Sequence, residues 1–378
     1  MSSSTLRSDA AVGRDCSFSI HEARSMVADL FAPRASVYWV DFLATLAVGN
    51  VAFVLCRRVI ELSSPVFYLA FVVQCLAFYR ASLFIHELVH FRPEKFKAFR
   101  AAWNLLCGVP FLTPSFVYYT HFDHHRRAHY GTEHDGEYIT LGQRSRWAIP
   151  FYLAQAFVIP LVVVFRFGIL TPLAWISPPV RRFAIRHMSS LVMDPSYIRP
   201  APTKRVMRII RLQEALCFAY LATLAVLLAT GRVPWTFVPH VYATAACIVM
   251  LNSIRTLGSH LWTGDGERMS FLDQLDDSAN YPYRPWITEL WGPLGLRYHA
   301  LHHLFPTMPY HNMGQAHRRL MARLPADSPY RRTVRTTLCE TLWELWRRPR
   351  PEDAKNRRSR DPHARSAGGW PRGITAAR

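Results

Sequence analysis

A chain of 378 residues carrying a net charge of +19, with half of its residues hydrophobic, is long enough for one large domain or two ordinary ones. So basic a sequence first suggests nucleic acid, but no nucleic-acid motif accompanies the charge, and the apolar residues are gathered into blocks instead of spread as in a soluble protein. Seven cysteines (Cys16, Cys56, Cys75, Cys107, Cys217, Cys247 and Cys339) form no CxxC pair and several sit inside apolar blocks, which reads as reduced buried thiols and excludes a disulfide or zinc–thiolate framework.

In chain order, residues 1–16 lack the apolar core of a signal peptide and are expected to be disordered. Ser19 and Glu22 form a capping-box pattern, and the next turns place Ile20, Val27, Leu30 and Phe31 on roughly one face until Pro33. This short helix suits either the membrane surface or the protein's own cap. Residues 38–56 and 66–85 are each about long enough to cross a bilayer and are joined by a short connection. They carry Asp41 and Arg80, so neither is a purely lipid-facing helix. Segment 91–100 is basic. Segment 101–119 is apolar but broken by Gly108, Pro110 and Pro114, as in an interfacial or re-entrant piece. Block 147–179 is ambiguous, long enough to cross but interrupted by Pro150, Pro160, Arg166 and Pro172. Residues 214–230 and 235–257 make a second pair of spans. Residues 318–348 are basic with Leu320, Leu324, Leu338, Leu342 and Leu345 at helical spacing, a helical cap, and the tail from Pro349 reads as disordered.

Lys and Arg accumulate in cytoplasmic segments. If 91–100 and 181–211 both lie inside, block 147–179 crosses an even number of times or not at all. The expected architecture is therefore an all-α, multi-pass integral membrane protein with about four transmembrane helices, six being the alternative. One domain, 17–348, carries a cytoplasmic helical cap, and 349–378 is a disordered basic tail. Arg57 and Arg58 fit poorly on the outer side.

Residues 86–90 read HELVH, the zincin signature, in which two His hold zinc and the Glu is a general base. They are not alone among the 17 histidines. HFDHH supplies His121, His124 and His125, HALHH supplies His299, His302 and His303, and His260 follows the last span. On a helix, positions i, i+3 and i+4 share a stripe, so each box is expected to aim its imidazoles the same way as one cluster. Such a pattern binds metal. One tetrahedral zinc takes three or four ligands, so these are enough for two metals. All-imidazole ligation suits Fe, Cu, Ni or Zn, and ligand type alone leaves the choice open. A zinc metalloprotease would use only the first box. A metal transporter would place its ligands near the bilayer midplane, not beyond span ends.

HELVH at a span end, HFDHH about thirty residues on, a pair of spans and then HALHHLFP together resemble the membrane fatty acid desaturase superfamily. THFDHHRRAHYGTEHDGEY and RYHALHHLFPTMPYHNMGQAH are most similar to its bacterial desaturase-like branch, and the likeness runs from about Ile20 to Leu324. The resemblance implies that His86, His90, His121, His124, His125, His299, His302 and His303 are ligands of two non-haem irons, and His260 matches the additional His that many members place after the last span. It implies O2 as co-substrate, electrons from an external ferredoxin or cytochrome b5-type donor, an acyl lipid entering from the bilayer, and an active site on the cytoplasmic face. Desaturation is the expected reaction, with hydroxylation or ketolation as the alternative.

Some relatives have Asn four residues before the additional His. Thr256 stands there in this chain, and Asn252 lies one turn earlier as the substitute candidate. Asp123, Asp135 and Glu137 are candidates for orienting ligating imidazoles through their second ring nitrogen. Glu87 becomes a neighbour of ligands, bonded to them or to a basic residue. His129, His134, His311 and His317 fall outside the repeat and are expected to be hydrogen-bonding or interfacial residues. The basic face would attract an acidic electron donor or anionic lipid headgroups.

Overall fold

The computed structural model describes residues 18–92 and 94–352. Among these, every regular element is helical, and β structure is confined to three isolated bridges. The elements that build the site are α1 (Ile20–Met26), α2 (Ala35–Arg58), α3 (Pro65–His90), α4 (His121–His124), α5 (Ile159–Ile176), α6 (Lys204–Ala229), α7 (Phe237–Ser259), α8 (His299–Leu304), α9 (Tyr310–Arg323) and α10 (Leu338–Arg347).

The spans follow from the apolar blocks and from sharp local starts. The Ser64 hydroxyl accepts the Val66 N–H ahead of Pro65, which sits where a helix has no use for its missing N–H. Thr203 caps α6 in the same way. α2 and α3 approach closely at Gly49, where a Cβ would lie 2.5 Å from the Phe78 ring. Substitution there forces the two spans apart. Asp41 and Arg80, the charges expected to face inward, pair with each other across this interface at 2.6 Å, and the Tyr310 hydroxyl donates to Asp41 at 2.8 Å. Arg57 donates to the Thr236 carbonyl and hydroxyl, both at 3.0 Å, tying the first pair of spans to the start of α7.

Among the described residues, five helices are long and apolar enough to cross a membrane: α2, α3, α5, α6 and α7. The additional one comes from the ambiguous block. Its prolines fall at the first turns of helical segments, where they cost no hydrogen bond, and a π-turn over Arg166–Leu170 joins the two halves. Arg166 is neutralised inside the protein, donating to Glu214 of α6 at 2.5 Å, and Glu214 also accepts from Arg181. The features that made the block look broken are each accommodated.

The helical cap is held by its own apolar core. Ala23, Val27 and Leu30 of the N-terminal segment are buried with Leu301, Leu304, Met313 and Leu320, so α1 rests on the cap. The described chain continues to residue 352. Arg350 is buried with its guanidinium on the Leu345 carbonyl, and Glu352 accepts the Ser145 N–H. Residues 1–17 and 353–378 lie outside the described residues, as does Cys16. The other six cysteines are free, four of them buried.

Candidate metal centre

α3 continues unbroken through HELVH, so His86 and His90 stand one turn apart at its end, 2% and 8% exposed. α4 and α8 are short helical turns carrying the other boxes, and His260 follows α7 on extended backbone (φ −124°, ψ 155°). The nine residues form two groups. His86, His90, His121, His125 and His302 bring one ring nitrogen each to within 4.8 Å of one another, and His124, His260, His299 and His303 do the same.

Boxes two and three are thus shared between the groups, which corrects the expectation of one cluster per box. The reason is helical geometry. Residues four apart differ by about 40° around the axis, whereas the residue at i+3 stands about 60° to the other side. His121 and His125 therefore stay together while His124 points to the second group, and His299 and His303 stay together while His302 points to the first.

The donor chemistry fits a metal. Nε2 atoms face Nε2 atoms at 3.0 Å for His121 with His125, His125 with His302, and His299 with His303, and at 2.9 Å for His260 with His299. Burial, reinforced by the crowding of neighbouring imidazoles, holds His125, His299, His302 and His303 well below the usual imidazole range. The neutral ring is thereby favoured, and a neutral imidazole has a lone pair to offer a metal. Both ring nitrogens of His86 and Nε2 of His90 are buried without a partner. Each such orphan costs about 1–3 kcal/mol, so a cluster of them is explained by cations that accept the lone pairs.

Three of the rings, those of His121, His124 and His260, are anchored at the opposite edge. His121 Nδ1–H donates to Glu137 at 2.8 Å and His124 Nδ1–H to Asp135 at 2.9 Å, leaving Nε2 free to bind. Burial depresses His124, but Asp135 outweighs it and raises this imidazole above its usual range. Asp277 does the same work for His260, standing 3.5 Å from its Nδ1 and linked to it through Tyr130, which donates to Asp277 at 2.7 Å and accepts His260 Nδ1–H at 2.8 Å. Nothing in the sequence pointed to Tyr130 or Asp277. Asp123 accepts from Tyr197 at 3.0 Å and faces His129 instead of a box imidazole. Asn252 accepts from Arg255 and makes no hydrogen bond to the histidines. His311 accepts the Arg34 N–H, and His317 bonds the Tyr330 hydroxyl.

A cavity of about 900 Å³ lies between α2, α3, α5, α6 and α7, and it reaches the shell of side chains around the histidines without touching the imidazoles themselves. Tyr118, whose ring stacks on His121 at 4.6 Å, and Glu137 line its histidine end.

The sequence profile of the fatty acid desaturase family matches residues 63–335. The chain belongs to that family. It is also similar to the ceramide hydroxylase of Caulobacter vibrioides, 37% identical over 337 residues, which cover 89% of this chain and 95% of the relative. This desaturase-family protein is accordingly a membrane oxidoreductase of the desaturase and hydroxylase superfamily, not a zincin or a transporter.

Family membership and geometry agree on Glu87. It stands about 100° round the helix from His86 and accepts from the Tyr38 hydroxyl at 2.5 Å and the Tyr310 N–H at 3.2 Å. Its partners are neither an imidazole nor a basic side chain, which corrects the expected pairing. Glu87→Gln should keep bound metal and lipid turnover within about tenfold, because a general base removed would cost about 100- to 10,000-fold. Turnover abolished with metal content unchanged would make Glu87 an acid–base group after all.

Proposed function

We propose that this protein is an O2-dependent di-iron hydroxylase of a ceramide-like lipid amide. The observation that carries this reading is the 37% identity to a ceramide hydroxylase along almost the whole of both chains. In this reading His86, His90, His121, His125 and His302 hold one iron and His124, His260, His299 and His303 hold the other. Five imidazoles in one group exceed the four of a closed zinc site, which supports iron. Bound there, the irons supply the redox chemistry that activates O2 and takes hydrogen from an unactivated carbon.

The chain's own residues do the rest. Glu137, Asp135 and the Tyr130–Asp277 pair keep protons on Nδ1, so the rings present the binding nitrogen without reorganising. The apolar walls of the cavity keep water from the chain being oxidised. One oxygen atom enters the C–H bond, and the other leaves as water with two electrons from an external ferredoxin or cytochrome b5-type donor and two protons from solvent. Exposed Arg92, Lys95, Arg126 and Arg127 beside the first two boxes suit an acidic donor and a cytoplasmic placement of this face. The family profile supports desaturation as a second reading, in which a neighbouring carbon also gives up hydrogen and both oxygen atoms leave as water.

The deciding experiment is expression in a host that makes unhydroxylated ceramide, grown under ¹⁸O2, with mass spectrometry of the lipids. Hydroxylation gives an amide lipid carrying one labelled oxygen. An unlabelled product lacking two hydrogens establishes desaturation. Unchanged amide lipids beside altered fatty acids overturn the ceramide reading.

A further inference from the structure

Arg255 lies on α7 five residues before His260, about 7 Å along the helix axis. It is 6% exposed and lines the cavity. Its guanidinium donates to neutral oxygens only: Asn252 Oδ1 at 3.1 Å, Thr256 Oγ1 at 2.9 Å and, weakly, Ser259 Oγ at 3.5 Å. Nε is buried with no partner, and no carboxylate lies within ion-pair distance among the described residues.

A lone buried guanidinium is costly, and two metal cations nearby would raise that cost. The cavity shows what could offset it. Phe237 and Thr256, near opposite ends of α7, both line it, so it extends over about 28 Å of helix. Around Arg255 the lining is polar, with Asn252, Ser253 and Thr256 of α7 and Tyr118 and Glu137 beside the histidines. At the far end it is apolar, with Phe53, Leu228 and Val238. A lipid bound with its oxygen-bearing group at the histidine end and its hydrocarbon towards the far end matches both halves. The reverse arrangement would draw methylenes past Arg255 and leave the charge with no partner.

We propose that Arg255 is a substrate-positioning residue that receives the amide and hydroxyl oxygens of the lipid, so that the carbon oxidised lies close to its polar group and not in mid-chain. The proposal rests on the hydroxylase reading above and adds to it the region of attack. The reach from Arg255 to His260 sets the window at about six carbons from the amide.

The test is the position of the new hydroxyl, read by fragmentation mass spectrometry of ceramides from cells expressing the full chain, beside Arg255→Gln and Arg255→Lys, with the iron content of each purified protein. The expected wild-type product carries its hydroxyl inside that window. Arg255→Gln should keep its iron, lose about 10- to 100-fold in conversion, and spread the residual product to more distant carbons, with Arg255→Lys between the two. A merely structural arginine would not move the site of attack. A wild-type hydroxyl in mid-chain overturns the proposal while the hydroxylase reading stands, and so does Arg255→Gln acting at the same carbon and rate as wild type. Ceramide left untouched by the wild-type protein overturns both, and is recognised because it fails before any substitution is made. If Arg255→Gln does not retain iron, the wild-type position and Arg255→Lys decide.

Discussion

Replacing His302 and His303 together by alanine is expected to take bound iron from about two per chain to fewer than one and to abolish turnover, because the pair contributes one imidazole to each histidine group. Adjacent in sequence, they belong to different histidine groups. The corresponding single variant sharpens the test. His303→Ala removes a ligand from the four-membered group only, so about one iron should remain, held by the five-membered group. Metal analysis of protein purified in detergent reads both results. Undiminished iron in the double variant would show that the groups do not hold the metals. One zinc, kept by the double variant and lost with His86→Ala, would return HELVH to a zinc site.

The largest effect on stability is expected at Glu214, far from the histidines in sequence and in role. Its two oxygens neutralise Arg166 and Arg181, and the Arg166 side chain is 2% exposed. Glu214→Ala leaves both guanidiniums without an acid. Breaking a buried pair in this way costs about 3–5 kcal/mol, and here one acid serves two bases. The midpoint for loss of monodisperse protein on heating in detergent should fall by about 5 °C. Glu214→Gln, which keeps the shape and one acceptor, should fall less. A midpoint equal to wild type would mean that water or lipid headgroups, and not Glu214, carry the two charges.

The parts of this site that are local in sequence were the legible ones. Each histidine box is contained in one helical turn, and the spacing of its rings could be read directly. The division of boxes two and three between the groups was also available from that spacing, since the angle between i and i+3 differs in sign from that between i and i+4. Asp135 and Glu137 were reachable because they lie within 16 residues of the imidazoles they hold. Asp277 is about as near to His260 in sequence, but its shorter contact is with Tyr130, 147 residues away, and nothing local marks that aromatic link. Glu87 meets Tyr38 at a separation of 49 and Tyr310 at 223, so no local pattern could show which way it faces. The fifth apolar helix was obscured for another reason. Whether a proline interrupts a helix depends on its place within the turn, and whether an arginine excludes a segment from the bilayer depends on an acid elsewhere. Neither Pro160 nor Arg166 carries that information itself.

The interleaving of the boxes bears on how the protein matures. α4 has four residues and α8 has six, well short of the 12 to 15 at which an isolated helix becomes even marginal. Their place in the native state is owed to what their side chains grip. With metals bound as proposed, one ion joins the end of α3 to both short turns, and the other joins the end of α7 to the same two turns. Four points spread from residue 86 to residue 303 are then closed into two overlapping rings that share both turns. Loading of metal is in that case a step in completing the fold, coming after the spans have inserted, and losing either ion loosens the ligands of the other.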